Sequence, residues 1–158
     1  MIRLLAPVLL LPTLAFAQTV DYYGTNADDY INGPAVTGEQ ARIDALGGND
    51  EVVLGPEQMF VSNFGDDIIT GSGTSGIATH NFNPIVDFNE GIFDDGDFGV
   101  DSISGISTIG LWGGGGQVLG TDRDEKVIFF SGNHTLLVKH IMPLCNWNII
   151  FHDFFFFL

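Results

Sequence analysis

Residues 44–73 read DALGGNDEVVLGPEQMFVSNFGDDIITGSG, and this stretch decides the fold. Twice within it a glycine leads two polar residues ending in Asp, with a β-branched pair close behind: Gly48-Asn49-Asp50-Glu51-Val52-Val53 and Gly65-Asp66-Asp67-Ile68-Ile69. An earlier copy, Gly24-Thr25-Asn26-Ala27-Asp28-Asp29-Tyr30-Ile31-Asn32-Gly33, has the same grammar with Ala27 in the small-residue slot. Glycine permits the positive φ and close backbone approach that a tight turn needs. The neighbouring Asp offers a hard, anionic oxygen. The Val/Ile pair that follows favours an extended, half-buried strand. The unit is therefore turn, ligand, strand, used repeatedly.

Spacing extends the argument. Asp29, Asp50 and Asp67 are separated by 21 and 17 residues. The intervening turns, around Thr37-Gly38-Glu39 and Gly55-Pro56-Glu57, lack the Gly-x-Asp pattern. The grammar resembles the hemolysin-type calcium-binding repeat, the RTX nonapeptide Gly-Gly-x-Gly-x-Asp-x-U-x, in which U is a large apolar residue pointing inward. The resemblance implies an all-β fold: a short parallel β-roll (β-solenoid) closed by an antiparallel β cap. Two nonapeptides make one full layer of about eighteen residues in that family, so the three Asp positions would stack along one edge.

On the same resemblance the metal-binding Asp slot falls on Asp29, Asp50 and Asp67, and the inward apolar slot on Ile31, Val52 and Ile69. Asp28, Asn49 and Asp66, just before each ligand, would contribute oxygens or tighten the turn. Ala27, Gly48 and Gly65 hold the small-residue positions. A fourth copy, Gly96-Asp97-Phe98-Gly99-Val100-Asp101-Ser102-Ile103, adds Asp101, and a fifth puts Glu125 in the ligand slot. Ca²⁺ takes six to eight oxygens, more than one turn supplies, so ions are expected between neighbouring turns. An EF-hand is absent, since the acidic 1-3-5 pattern with Gly at 6 and Glu at 12 occurs nowhere. The competing reading of the Asp and Asn residues is side-chain-to-backbone bonding in turns.

Composition agrees with a folded, acidic, exported chain. Five basic residues against twenty acidic give a net charge of −15 over 158 residues. Such a charge argues against nucleic acid or an anionic membrane surface as partner. A hydrophobic fraction of 45% leaves ample material for a core. One cysteine, Cys145, excludes an internal disulfide framework, and a metal would serve as the staple in its place.

Residues 1–17, MIRLLAPVLLLPTLAFA, combine an early Arg3, an apolar run and a terminal A-x-A, the marks of a cleaved secretory signal. No membrane span is expected after cleavage, and the mature chain is placed in the periplasm or outside the cell. Residues 18–80 are read as the repeats and 81–158 as the cap. Within the latter, Pro84-Ile85-Val86-Asp87-Phe88-Asn89 and Asp101-Ser102-Ile103 resemble the segment that follows RTX repeats. Residues 93–98 read as a solvated turn or a further calcium loop, and residues 111–120 as a flexible glycine-rich connection. Lys126 to Phe130 and Thr135 to Val138 suggest a hairpin around Ser131-Gly132-Asn133.

No zinc-protease, nucleophile-elbow or P-loop motif is present. His80, His134, His140 and His152 have no metal-site spacing. The expected function is an exported calcium-binding β-roll without catalytic activity, its ions coupled to folding. The alternatives are a cell-surface adhesion or matrix module with a polysaccharide partner and structural calcium, a fragment of a secreted RTX hydrolase, and a metal-free solenoid.

Overall fold

Short strands with one β-branched or aromatic residue at the centre alternate with turns along most of the chain. The computed structural model describes residues 20–36, 41–81, 83–96, 98–121, 123–130, 135–138 and 148–151. In chain order the elements are β1 (Val20–Tyr23), β2 (Tyr30–Asn32), the single-turn helix α1 (Gly33–Val36), β3 (Arg42–Asp44), β4 (Glu51–Val53), β5 (Met59–Val61), β6 (Ile68–Thr79), β7 (Ile85–Asp87), β8 (Ile92–Asp94), β9 (Val100–Leu111), β10 (Gln117–Gly120), β11 (Lys126–Phe129), β12 (Thr135–Val138) and β13 (Asn148–Phe151). The described strands belong to one mixed sheet, whose longest path runs from β1 to β12 without closing. The fold is all-β.

Two ladders organise that sheet. In the first, β1, β3, β5, the second half of β6, the second half of β9, β11 and β13 pair in parallel. The second begins with β2, β4 and the first halves of β6 and β9, again parallel. There β8 runs against both β9 and β7, after which β10 and β12 continue parallel to β7. β6 and β9 cross from one ladder to the other through a register shift between Thr70 and Gly76.

Register aligns the apolar residues. Ile31, Val52, Ile69 and Ile103 are successive partners in the second ladder, and Ile43, Phe60, Ile77, Ile109 and Val127 in the first. All nine are buried and join one hydrophobic cluster. The flanking strand positions are more exposed, as in the exposed–buried–exposed pattern of β2, because successive side chains in a strand point to opposite faces. Each large aliphatic or aromatic residue so buried contributes about 1.5–3 kcal/mol.

Three expectations for residues 81–158 need correction. Among the described residues antiparallel pairing is confined to β7–β8–β9 and lies in the middle of the second ladder rather than at its end; parallel pairing resumes beyond it. β11 and β12 are strands but make no hairpin: β11 pairs with β9 and β13, β12 with β10. Their segments alternate between ladders as the earlier ones do, so chain neighbours are not pairing partners. The glycine-rich connection contains β10, and its turn is held by Asn83 N–H donating to Gly114 O at 3.0 Å. Trp112, beside that turn, stacks between His80 and Phe130 with ring centroids 5.0 and 3.9 Å away. The proposed signal at 1–17, the half-turn at 37–39, the histidines 134, 140 and 152, Cys145 and the final residues 152–158 lie outside the described residues.

Candidate metal site

The first three Gly/Asp turns connect a first-ladder strand to a second-ladder strand: residues 24–29 join β1 to β2, 45–50 join β3 to β4, and 62–67 join β5 to β6. Parallel pairing of the strands that follow stacks the turns. Tyr30, Glu51, Ile68 and Ser102 are successive partners, so the residues before them, Asp29, Asp50, Asp67 and Asp101, form one inner row.

That row is continuous in hydrogen bonds. The Asp29 amide donates to Asp50 Oδ1 at 2.7 Å, the Asp50 amide to Asp67 Oδ1 at 2.8 Å, and the Asp67 amide to Asp101 Oδ1 at 2.9 Å. The carbonyls answer in the other direction, with Glu51, Ile68 and Ser102 N–H donating to Asp29, Asp50 and Asp67 O at 2.8–2.9 Å. An outer, exposed row runs beside it: Asn49 N–H donates to Asp28 Oδ1 at 2.9 Å, Asp66 N–H to Asn49 Oδ1 at 3.1 Å, and Val100 N–H to Asp66 Oδ1 at 2.9 Å. The fourth copy thus enters through Gly99-Val100-Asp101. In these two rows the side chains bond from one turn to the next.

Glycine makes this stacking possible. Gly48, Gly65 and Gly99 have φ of 119°, 138° and 151°. A Cβ on Gly65 would overlap the carbonyl oxygen of Gly48, and one on Gly99 that of Gly65. Ala27 is tolerated at the start of the row, where no earlier described turn lies beneath it and φ is not positive.

Stacking buries the inner carboxylates. Asp50, Asp67 and Asp101 are 1–2% exposed. With its amide oriented to satisfy its neighbours, Asn63 donates to Asp67 Oδ2 at 2.9 Å and accepts from Ala45 and Leu46 N–H at 3.1 and 2.8 Å. Asp29 is held by Thr25, whose amide and hydroxyl donate to Oδ2 at 2.7 and 2.8 Å. Asp50 Oδ2 and Asp101 Oδ2, by contrast, are buried and have no partner. Burial is the largest influence on all three buried acids. It raises Asp50 above its usual range, pushes Asp67 up to about 6 and Asp101 up to about 8, and like charges in the row add to the rise.

The opposite edge has a different chemistry. There Gln58 Oε1 accepts from Gly55 N–H at 2.7 Å and Ser75 Oγ donates to Gly55 O at 2.8 Å. Glu125, the fifth expected ligand, belongs to that side: it immediately precedes a first-ladder strand, as Gln58 precedes β5. Its carboxylate accepts from Thr121 N–H at 3.0 Å and from the Thr121 hydroxyl. It is not part of the Asp row.

Hard carboxylate oxygens, two of them buried and unpartnered on the inner row, suit the donor preference of Ca²⁺. Among the described residues no three His, Cys, Asp or Glu side chains already converge as a metal cluster. Sequence reading missed Asn63 and Thr25, whose roles depend on register, and Asp95. The last sits in residues 93–98, read above as a solvated turn or a further calcium loop, and it is 1% exposed. Comparison of the chain with protein-family models, curated proteins and solved structures finds no match.

Proposed function

We propose that this protein is an exported, non-enzymatic calcium binder of hemolysin-repeat type, a short parallel β-roll whose ions lie between stacked Gly/Asp turns. One observation carries the reading: Asp50, Asp67 and Asp101 each spend Oδ1 on a neighbouring amide, while Oδ2 of Asp50 and Asp101 is buried without a partner. An uncompensated buried charge costs about 3–5 kcal/mol, which a divalent ion between layers would offset. The β-roll is supported by a parallel first ladder and a second ladder parallel except at β8, which share one core, with turns recurring at offsets of 21 and 17 residues. Export rests on residues 1–17.

Asp50 and Asp101 would supply anionic oxygens, backbone carbonyls of adjacent turns the neutral ones, and the exposed Asp28, Asn49 and Asp66 a polar rim. In the low-calcium cytoplasm the carboxylates repel and weaken the fold; outside, the ion stabilises the roll by mass action. Among the described residues no helix is long and apolar enough to cross a membrane.

Circular dichroism of the mature chain with calcium and then with EGTA tests the proposal. A gain of β signal and of thermal stability with calcium is expected. Indifference to chelator would favour a metal-free solenoid, a second reading that the six metal-independent inter-turn hydrogen bonds support.

A further inference from the structure

The loop between β8 and β9 brings in a carboxylate that the repeat grammar does not supply. Asp95 follows β8, whose Phe93 is buried in the core. Its amide donates to Gly99 O at 3.3 Å, extending the antiparallel β8–β9 hairpin by one bond. That hairpin seats itself on the turn stack: Gly65 N–H donates to Phe98 O at 2.9 Å, and the Phe98 ring packs on Phe64 with centroids 4.2 Å apart. Asp95 is left 1% exposed with neither carboxylate oxygen partnered, and Asp101 is 2% exposed with Oδ2 unpartnered.

The charge of Asp95 acts on Asp101, and Asp67 acts on both. Burial drives Asp95 up to about 6, with Asp67 and Asp94 adding to the push; the Ser62 hydroxyl offsets part of it, short of a hydrogen bond to either oxygen. Three buried carboxylate oxygens without a donor are costly, and each calls for a compensating partner such as a bound ion.

We propose that Asp95 and Asp101 form a distinct buried site for a hard divalent cation, calcium in preference to magnesium, which pins the β8–β9 hairpin to the end of the Asp row. Magnesium demands near-ideal octahedral geometry and keeps its waters, whereas calcium accepts irregular carboxylate and carbonyl oxygens. Asp67, whose free oxygen takes the Asn63 amide, serves as a neighbouring charge rather than a ligand. The site deepens the calcium reading given above and rests on it for the identity of the ion. It differs in that one ligand comes from outside the repeats.

The test is calcium titration of the full chain by calorimetry, with magnesium as control, for the parent, Asp95→Asn and Asp50→Asn. The site predicts that Asp95→Asn loses one bound ion and keeps the others, and that in EGTA it melts above the parent because a buried charge has been removed. Unchanged stoichiometry in Asp95→Asn, with reduced binding in Asp50→Asn, overturns the hairpin site and leaves the repeat sites standing. A parent chain that binds no calcium overturns both. Should Asp95→Asn not fold, hydrogen exchange of the parent decides: calcium must slow exchange at the amides of residues 95–99, and equal exchange with and without it refutes the site.

Discussion

Asp50 Oδ1 lies 2.7 Å from the backbone amide of Asp29, a residue 21 positions earlier in the chain. The carboxylate of one turn therefore completes the backbone of the turn before it, while its own amide donates to Asp67 Oδ1. Asp50→Ala strips an acceptor from a part-buried amide and removes one unpartnered oxygen. A charge-assisted bond of this kind is worth about 1.5–3 kcal/mol. Denaturant unfolding of Asp29→Ala, Asp50→Ala and Asp67→Ala should place Asp50→Ala among the most destabilised and give it the weakest calcium response. Parental calcium affinity in that variant would count against ions stacked between turns.

Asp50→Asn separates the two jobs of the side chain. Its amide oxygen can still accept from the Asp29 N–H, but the buried charge is gone. In EGTA the variant should equal or exceed the parent in melting temperature, because the unpartnered Oδ2 no longer carries charge. In calcium it should fall below the parent, the ion having lost a carboxylate. Identical shifts in the two buffers would mean that Asp50 acts only as a hydrogen-bond acceptor.

Gly65→Ala tests whether close stacking of the turns is obligatory. The residue adopts φ of 138°, which L-residues rarely occupy, and its Cβ would overlap the Gly48 carbonyl oxygen. Backbone strain alone costs about 1–3 kcal/mol, and the overlap adds to it by forcing two turns apart. A large loss of stability is expected, one that calcium does not restore, since the displaced backbone also separates the carboxylates. An alanine variant with parental melting behaviour would show that the turns are not packed as described.

The repeat was legible because glycine and aspartate at fixed spacing each perform a backbone task that few other residues can. Asp29, Asp50 and Asp67 fall in one row, and Ile31, Val52 and Ile69 in one core column, at the offsets the sequence shows. The reversal of β8 was not legible, since Ile92-Phe93-Asp94 reads the same in either direction. Nor was the pairing of β11 and β12 with different partners, because two strands either side of a Ser-Gly-Asn turn look locally like a hairpin. Asp95 was hidden for a related reason: FDDGDF has the composition of a loop in water, and only the docking of Phe98 on Phe64 buries its second aspartate. The choice between metal and hydrogen bond was left open by the sequence, since both need the same oxygens.

The acidity of the buried row gives the metal-free chain an unusual pH dependence. Asp67 and Asp95 are raised from 3.8 to about 6, and Asp101 to about 8. The folded chain therefore holds protons that the unfolded chain has released, and stability falls as pH rises through that interval. In EGTA the melting temperature should drop steadily from about pH 5 to about pH 8, the reverse of ordinary acid denaturation. Above about pH 6 the drop belongs to Asp101, so Asp101→Asn should flatten it there and make the lower part, shared with Asp67 and Asp95, shallower. Calcium should reduce the slope, because the ion binds the deprotonated form. The overall charge of −15 also destabilises the fold at high pH, but molar salt screens it to about 3 Å and leaves buried groups largely unaffected. Thermal melts across the interval in high salt isolate the buried row, and a melting temperature that rises with pH under those conditions would refute its assignment.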